Sequence, residues 1–109
     1  MNSPQLLSAA IHATLSEDDL PPNDAAIGNA TVFFEALPVD PSSVRMYADG
    51  EGAVEAVMRT AEGSYMAVIG SGDTFDLRFI PRVLGRPLRY SASSPRAAAR
   101  FFAVNLWPI

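Results

Sequence analysis

The chain contains no cysteine and no lysine, and it has only one histidine and one tryptophan among its 109 residues. Without cysteine, disulfides, thiolate chemistry and cysteine-ligated zinc are excluded, so packing alone must stabilise the fold. The single histidine, His12, falls on the polar face of a predicted helix, with no second type of metal ligand nearby in sequence. We therefore expect no metal, no cofactor and no catalytic residue, which predicts a protein that is not an enzyme. Replacement of His12 by alanine should leave function unchanged.

Long apolar runs are also missing. No segment approaches the ~18 uninterrupted apolar residues of a membrane-spanning helix. No basic residue precedes an early apolar stretch, as it would in a secretory signal. Hydrophobic residues make up 49% of the chain and charged residues 18%, a composition typical of globular proteins. These features predict one domain over residues 1–109, located in the cytoplasm of a bacterial cell or of an infected host.

Acidic residues are absent from the last third of the chain. Residues 1–76 hold all twelve acids and two arginines, a net charge of −10, whereas residues 77–109 hold six arginines and no acid, a net charge of +6. Such asymmetry indicates either an anionic partner or internal pairing between the two segments. The sequence leaves this choice open.

The first part of the chain is predicted to form a helix followed by a loop. Ser3 can cap and Pro4 can start a helix over about 4–16. The apolar face of this helix comprises Leu6, Leu7, Ala10 and Ile11. Residues 17–30 contain two prolines, two asparagines, a glycine and several acids, which indicates a loop.

From Thr31 the apolar period changes to two, which is typical of strands. Turn signals such as "DGEG" at 49–52 separate the alternating segments. The segment 53–60 alternates well but is also compatible with a helix, and the sequence does not decide between them. The prediction is an α+β domain, an antiparallel β-meander of five to six strands flanked by an N-terminal and a C-terminal helix. The predicted strands cover 31–37, 43–48, 53–60, 64–70, 74–80 and 88–92.

The last segment is predicted to be a helix that begins with a Ser94 cap and Pro95 and ends at Pro108. Its expected core face comprises Ala98, Phe101 and Phe102. On the opposite side, the 3.6-residue period brings Arg96, Arg100 and Trp107 into one stripe. Two positive charges one turn apart cost about 0.2–0.5 kcal/mol. Arg96 also opposes the helix dipole.

This unfavourable charge placement has two interpretations. The arginines could pair with the acidic segment, or they could contact a partner, since arginine and tryptophan are enriched at binding hot spots. The predicted partner-binding residues are Arg96, Arg100, Trp107, Arg89, Arg86 and Arg82.

Three classes of function fit these features. The leading hypothesis is a non-enzymatic bacterial or phage interaction protein that docks on another protein, of the inhibitor, immunity or anti-defence type. A nucleic-acid-contacting module is a further alternative, because aromatic residues are interleaved with the arginines of the last third. The net charge of −4 disfavours a polyanionic partner at long range. An enzyme that uses a pair of acids is the hypothesis with the least support.

The remaining alternative depends on a resemblance. Residues 31–52, "TVFFEALPVDPSSVRMYADGEG", follow a predicted N-terminal helix. They place an apolar strand, a proline-bounded turn, a second strand ending in an aromatic residue, and a glycine in that order. This order is similar in outline to phage tail-terminator or minor capsid proteins, over about a fifth of the chain. The resemblance implies a structural virion component that self-assembles into homo-oligomers.

Overall fold

The computed structural model describes Ile11 and residues 15–83 and 85–103. Two helices are defined there, α1 (Asp24–Glu35) and α2 (Pro95–Arg100), with a short 3-10 helix at Pro41–Ser43. Five strands lie between the helices: β1 (Arg45–Ala48), β2 (Val54–Arg59), β3 (Gly63–Ile69), β4 (Phe75–Pro81) and β5 (Leu88–Ala92). They form one antiparallel sheet in the order β1-β2-β3-β4-β5, so the predicted α+β meander is confirmed, with five strands.

The segment 53–60 is a strand, which resolves the ambiguity of the sequence. β2 pairs with β3 from Val54 opposite Ile69 to Arg59 opposite Ser64. Its burial alternates as predicted, with Val54, Ala56 and Met58 buried against the core. The glycine-containing turn before it is held by Asp49, whose carboxylate accepts hydrogen bonds from the backbone N–H groups of Glu51 at 2.8 Å and Ala53 at 3.0 Å.

The predicted strand over 31–37 and the second half of the predicted loop over 17–30 are wrong, because α1 spans their junction, whereas residues 17–23 form a loop as predicted. Asn23 caps α1 by accepting a hydrogen bond from the Ala26 N–H at 2.9 Å. The residues that α1 buries are Ala26, Ala30 and Phe33, whose spacing of four and three is helical. The aromatic and β-branched residues of 31–37 also alternate, and that pattern concealed the helical one.

α2 begins where predicted but is shorter. The Ser94 hydroxyl accepts a hydrogen bond from the Ala97 N–H at 3.1 Å, and the regular helix ends at Arg100. The next three N–H groups, of residues 101–103, donate to carbonyls three residues earlier, which is 3-10 geometry. The predicted core residues Ala98, Phe101 and Phe102 are buried.

Of the first predicted helix, only Ile11 and the last two residues are described. Ile11 is helical and fully buried, and 15–16 are not helical. The rest of 4–16, like 104–109, lies outside the described residues.

The core lies between one face of the sheet and the two helices. Phe33 of α1 meets Phe102 after α2 edge to face, with ring centroids 5.3 Å apart. Tyr65 of β3 lies against Phe101 at 5.5 Å and against Phe79 at 4.8 Å. The core residues of all five strands belong to this helix-bearing face, and among the described residues none outside the sheet belongs to a core on the opposite face. In the part of the chain that the structure describes, no helix is long and apolar enough to cross a membrane.

Candidate protein-docking surface

The face of the sheet opposite the helices carries most of the exposed charge on the strands. We call it the outer face. It is defined by three cross-strand rows, read directly from the strand register. The first row comprises Arg45, Val57, Met66, Arg78 and Arg89; the second comprises Tyr47, Glu55, Val68, Asp76 and Ser91; the third comprises Arg59, Ser64 and Ile80. None of these thirteen residues is buried.

The centre of the outer face is apolar. Val57 and Met66 are neighbours in the first row, and Val68 lies beside them in the second. All three are half-buried by their neighbours on the sheet. Ile80 extends this apolar centre towards one end of the sheet and is 41% exposed. Contiguous exposed apolar side chains bordered by polar ones are a frequent mark of protein interaction sites.

Arginines flank the apolar residues of the first row on both sides. Arg45 lies on the edge strand β1, and Arg78 and Arg89 lie on β4 and the other edge strand, β5. With Arg59 the face holds four arginines and two acids, a net charge of +2 on a protein whose total charge is −4. An exposed site of this composition attracts anionic groups.

Arg78 and Arg89 lie directly opposite each other across β4 and β5. Like charges in this position destabilise a sheet by roughly 0.2–1 kcal/mol. Asp76 is diagonal to Arg89 and offsets part of this cost. Both arginines are exposed, so neither fills a position that the core needs. Residues that destabilise their local structure without improving the packing of the core are most often found at functional sites.

Tyr47 marks the acidic side of the outer face. Burial raises the pKa of the Tyr47 hydroxyl, and the hydrogen-bonded Glu55 carboxylate opposite it raises that pKa further. The nearby Arg45 and Arg59 guanidinium groups act in the opposite direction. Glu55 thus has a hydrogen-bond partner within the sheet, and the four arginines of the face outnumber its two acids.

A shallow depression lies at the end of the outer face where β3 begins. Its lining includes Arg59, Ser64, Ile80 and Arg82. The Arg82 N–H donates to the Glu62 carbonyl at 2.9 Å, which continues the β3–β4 pairing beyond the strands. The depression is therefore an extension of the outer face with one more positive charge.

The predicted partner-binding residues are all exposed where they are described, but they do not form one cluster. Arg89 lies on the outer face, and Arg82 and Arg86 lie in the connection between β4 and β5. Arg96 and Arg100 lie on α2, in the helical layer. The stripe predicted for the last helix cannot be followed to its end, because Trp107 lies outside the described residues.

The charge of Arg100 has a different effect from the one expected. Because α2 ends at Arg100, this residue lies in the last turn, where a positive charge is favoured by the helix dipole. Arg96, in the first turn, keeps its unfavourable position. The combined penalty is therefore smaller than for a longer helix.

Four residues that complete the outer face were not predicted from the sequence. Arg45, Arg59, Val57 and Met66 come from the segment that is acidic in sum. The signal that could have found them is the strand alternation, which separates Arg45, Val57, Arg59 and Arg78 from the residues that the strands bury. Only the register shows that they are neighbours.

The opposite end of the sheet is acidic. The loop before α1 folds onto the β1–β2 turn, where the Leu20 N–H donates to the Gly50 carbonyl at 2.9 Å and the Gly52 N–H donates to the Leu20 carbonyl at 3.1 Å. This contact brings Asp19 beside the turn that carries Asp49 and Glu51. The two charge types that are segregated along the chain thus occupy different parts of the surface.

Among the described residues, no group of three or more histidine or acidic side chains could hold a metal ion. His12 lies outside the described residues. Comparison with family models, curated protein sequences and solved structures finds no match to this chain. The outer face is therefore the feature from which a function can be proposed.

Proposed function

We propose that this chain is a small non-enzymatic interaction protein that docks on another protein through the outer face. The observation that supports this most strongly is a sheet face with an apolar centre and a net charge of +2 on an acidic protein. We place its action in the cytoplasm of a bacterial cell or an infected host, as an inhibitor, immunity protein or anti-defence protein.

The composition of the outer face favours a protein partner over nucleic acid. Arginine and methionine are enriched at protein interfaces, and the centre of this face is made of Val57, Met66 and Val68. Binding to single-stranded nucleic acid uses aromatic side chains on which bases stack. The one aromatic residue in the three rows is Tyr47, and its hydroxyl is engaged by Glu55.

The virion alternative has lost its sequence support. The first element of the resemblance, an apolar strand over 31–37, is the second half of α1 and its end. Two outer faces each carry a net charge of +2, so their face-to-face association is opposed by like-charge repulsion. Face-to-face assembly is therefore disfavoured, and we keep the non-self partner as the proposal.

Site-specific photo-crosslinking in the cells that encode the protein tests the proposal. Benzoylphenylalanine in place of Met66 should capture one protein, which on purification should form a one-to-one complex measured by calorimetry. Arg78→Glu with Arg89→Glu should abolish the complex, because both charges face the partner. The matched control is Arg96→Glu with Arg100→Glu, which makes the same charge change on α2.

Each other outcome would count against the outer face. Loss of binding in the α2 variant alone would move the interface to the helical layer, as the stripe of the sequence analysis predicts. Crosslinks to RNA or DNA would favour the nucleic-acid alternative. Crosslinks only between copies of this chain, with a larger mass in solution, would favour self-assembly. Thermal melting of both variants should stay near wild type, so that lost binding is not lost folding.

A further inference from the structure

The first row of the outer face has a charge order that specifies its occupant. Arg45, Val57, Met66 and Arg78 follow one another across four adjacent strands. Adjacent strands are about 4.8 Å apart, so three spacings separate the backbones of Arg45 and Arg78 by about 14 Å. The two apolar residues lie midway between the two positive ones.

We infer that this row binds an extended segment of the partner that carries two carboxylates with one apolar side chain midway, in the order acid-x-apolar-x-acid. The inference depends on the proposed function and names the partner's chemistry. In an extended chain, alternate side chains point to the same side, and each residue advances about 3.3 Å. Positions i and i+4 are then about 13 Å apart, which matches the span from Arg45 to Arg78, with position i+2 above Val57 and Met66.

The second row of the outer face limits the width of the occupant. Glu55 and Asp76 lie two residues along their strands from Val57 and Arg78. At about 3.3 Å per residue, these acids are about 7 Å from the first row. A single segment that crosses the strands along the first row meets the arginines and avoids these carboxylates. A nucleic-acid strand, with a phosphate on every nucleotide and bases beside them, would extend over the acidic row.

The first row also distinguishes the carboxylates of the proposed partner from those of a second copy of this chain. The acidic end of the molecule presents Asp19, Asp49 and Glu51 around one turn. The Asp49 carboxylate already accepts hydrogen bonds from the Glu51 and Ala53 N–H groups within this turn. Two copies, each with a net charge of −4, also repel each other at long range.

Titration of the isotope-labelled full chain with short peptides tests the inference by NMR. The probe is Ser-Glu-Thr-Leu-Thr-Glu-Ser with blocked ends. The matched control, Ser-Glu-Glu-Leu-Thr-Thr-Ser, has the same composition in the wrong order. We expect the probe to shift the amide signals of β1 to β4 and to bind about two- to fivefold more tightly than the control, since each exposed ion pair contributes modestly.

Two variants locate the contact. Arg78→Gln should lower the affinity for the probe to that of the control peptide, and Arg96→Gln, the same change on α2, should leave it unchanged. Both arginines are exposed, so both variants should fold. A probe in which both glutamates are replaced by glutamine should bind no better than the control.

Equal affinity of the two glutamate peptides, or shifts confined to α2, would overturn the inference. So would tighter binding of an oligothymidylate of equal charge. Because the peptides are tested on the purified chain, such results would leave the crosslinked partner of the proposed function standing. If the crosslinking failed while the peptides bound as expected, the proposed function would be contradicted and the peptide preference of the first row would still be supported.

Discussion

Replacement of Phe33 by alanine tests the most consequential difference between the sequence prediction and the structure. Phe33 is fully buried in α1, and its ring meets Phe102 edge to face at 5.3 Å. Truncation of a buried phenylalanine costs about 3–5 kcal/mol through lost burial and the cavity that remains. The ring pair accounts for about 0.5–1.5 kcal/mol of this cost. For a domain that is stable by about 5–15 kcal/mol, the loss is large but measurable.

Urea unfolding followed by circular dichroism measures this effect. With a slope of about 1–3 kcal/mol per molar urea, the midpoint of Phe33→Ala should fall by about 2 M. The matched control is Phe34→Ala, one residue further along α1, which makes the same change in helix propensity. Phe34 is only half-buried, so its truncation should cost about half as much. If Phe33→Ala does not fold, Phe33→Leu keeps the comparison measurable.

The reasoning would be refuted by the relative loss of stability in the two variants. A larger loss in Phe34→Ala than in Phe33→Ala would mean that Phe34, and not Phe33, faces the core. A double-mutant cycle between Phe33 and Phe102 adds a second check. A coupling free energy near zero would show that the two rings do not contact each other.

Three further predictions concern the sheet and its connections. Asn29→Ala should lower the free energy of unfolding by about 1 kcal/mol in urea, because the amide donates to carbonyl oxygens of the β3–β4 turn at 2.9 and 3.3 Å; an unchanged midpoint would show that these bonds contribute nothing. Gly63→Ala should cost about 1–3 kcal/mol by the same measurement, because a Cβ there collides with a carbonyl oxygen of β4, and wild-type stability would contradict the β3–β4 register. Tyr47→Phe should remove a loss of stability at high pH: the raised pKa of Tyr47 stabilises the folded state below the unfolded pKa of about 10, and this contribution is lost as the pH rises through the folded value. Melting temperatures between pH 8 and 11 that fall equally in both proteins would exclude this role.

The sheet could be predicted from sequence because alternation and turn residues gave the same answer. Each of the strands from β1 to β5 is bounded by residues that turn or stop a strand, and the burial of Phe75 and Leu77 follows the predicted alternation. In a meander, neighbours in sequence are neighbours in space, so no long-range information was needed for the strand order.

α1 could not be predicted because its decisive contacts are distant in sequence. Asn29 weakens a helix locally, yet its amide is used by a turn about forty residues later. Phe33 alternates with its neighbours as in a strand, but the partner that buries it is Phe102. Tertiary packing therefore overrode a local pattern that favoured the wrong period.

The fold brings together charges that lie in different segments of the sequence. Arg45 comes from the acidic segment and Arg78 from the basic one, and the meander brings both to the outer face with apolar residues between them. Most of the acids lie outside this face, including those of the β1–β2 turn. At physiological salt, charges are screened beyond about 8 Å. A short acidic segment on the first row would lie closest to its arginines, with Glu55 and Asp76 about 7 Å away, while a long polyanion would also meet the net negative charge of the rest of the molecule. Under the proposed function, the same protein would repel nucleic acid and attract one acidic segment of a partner.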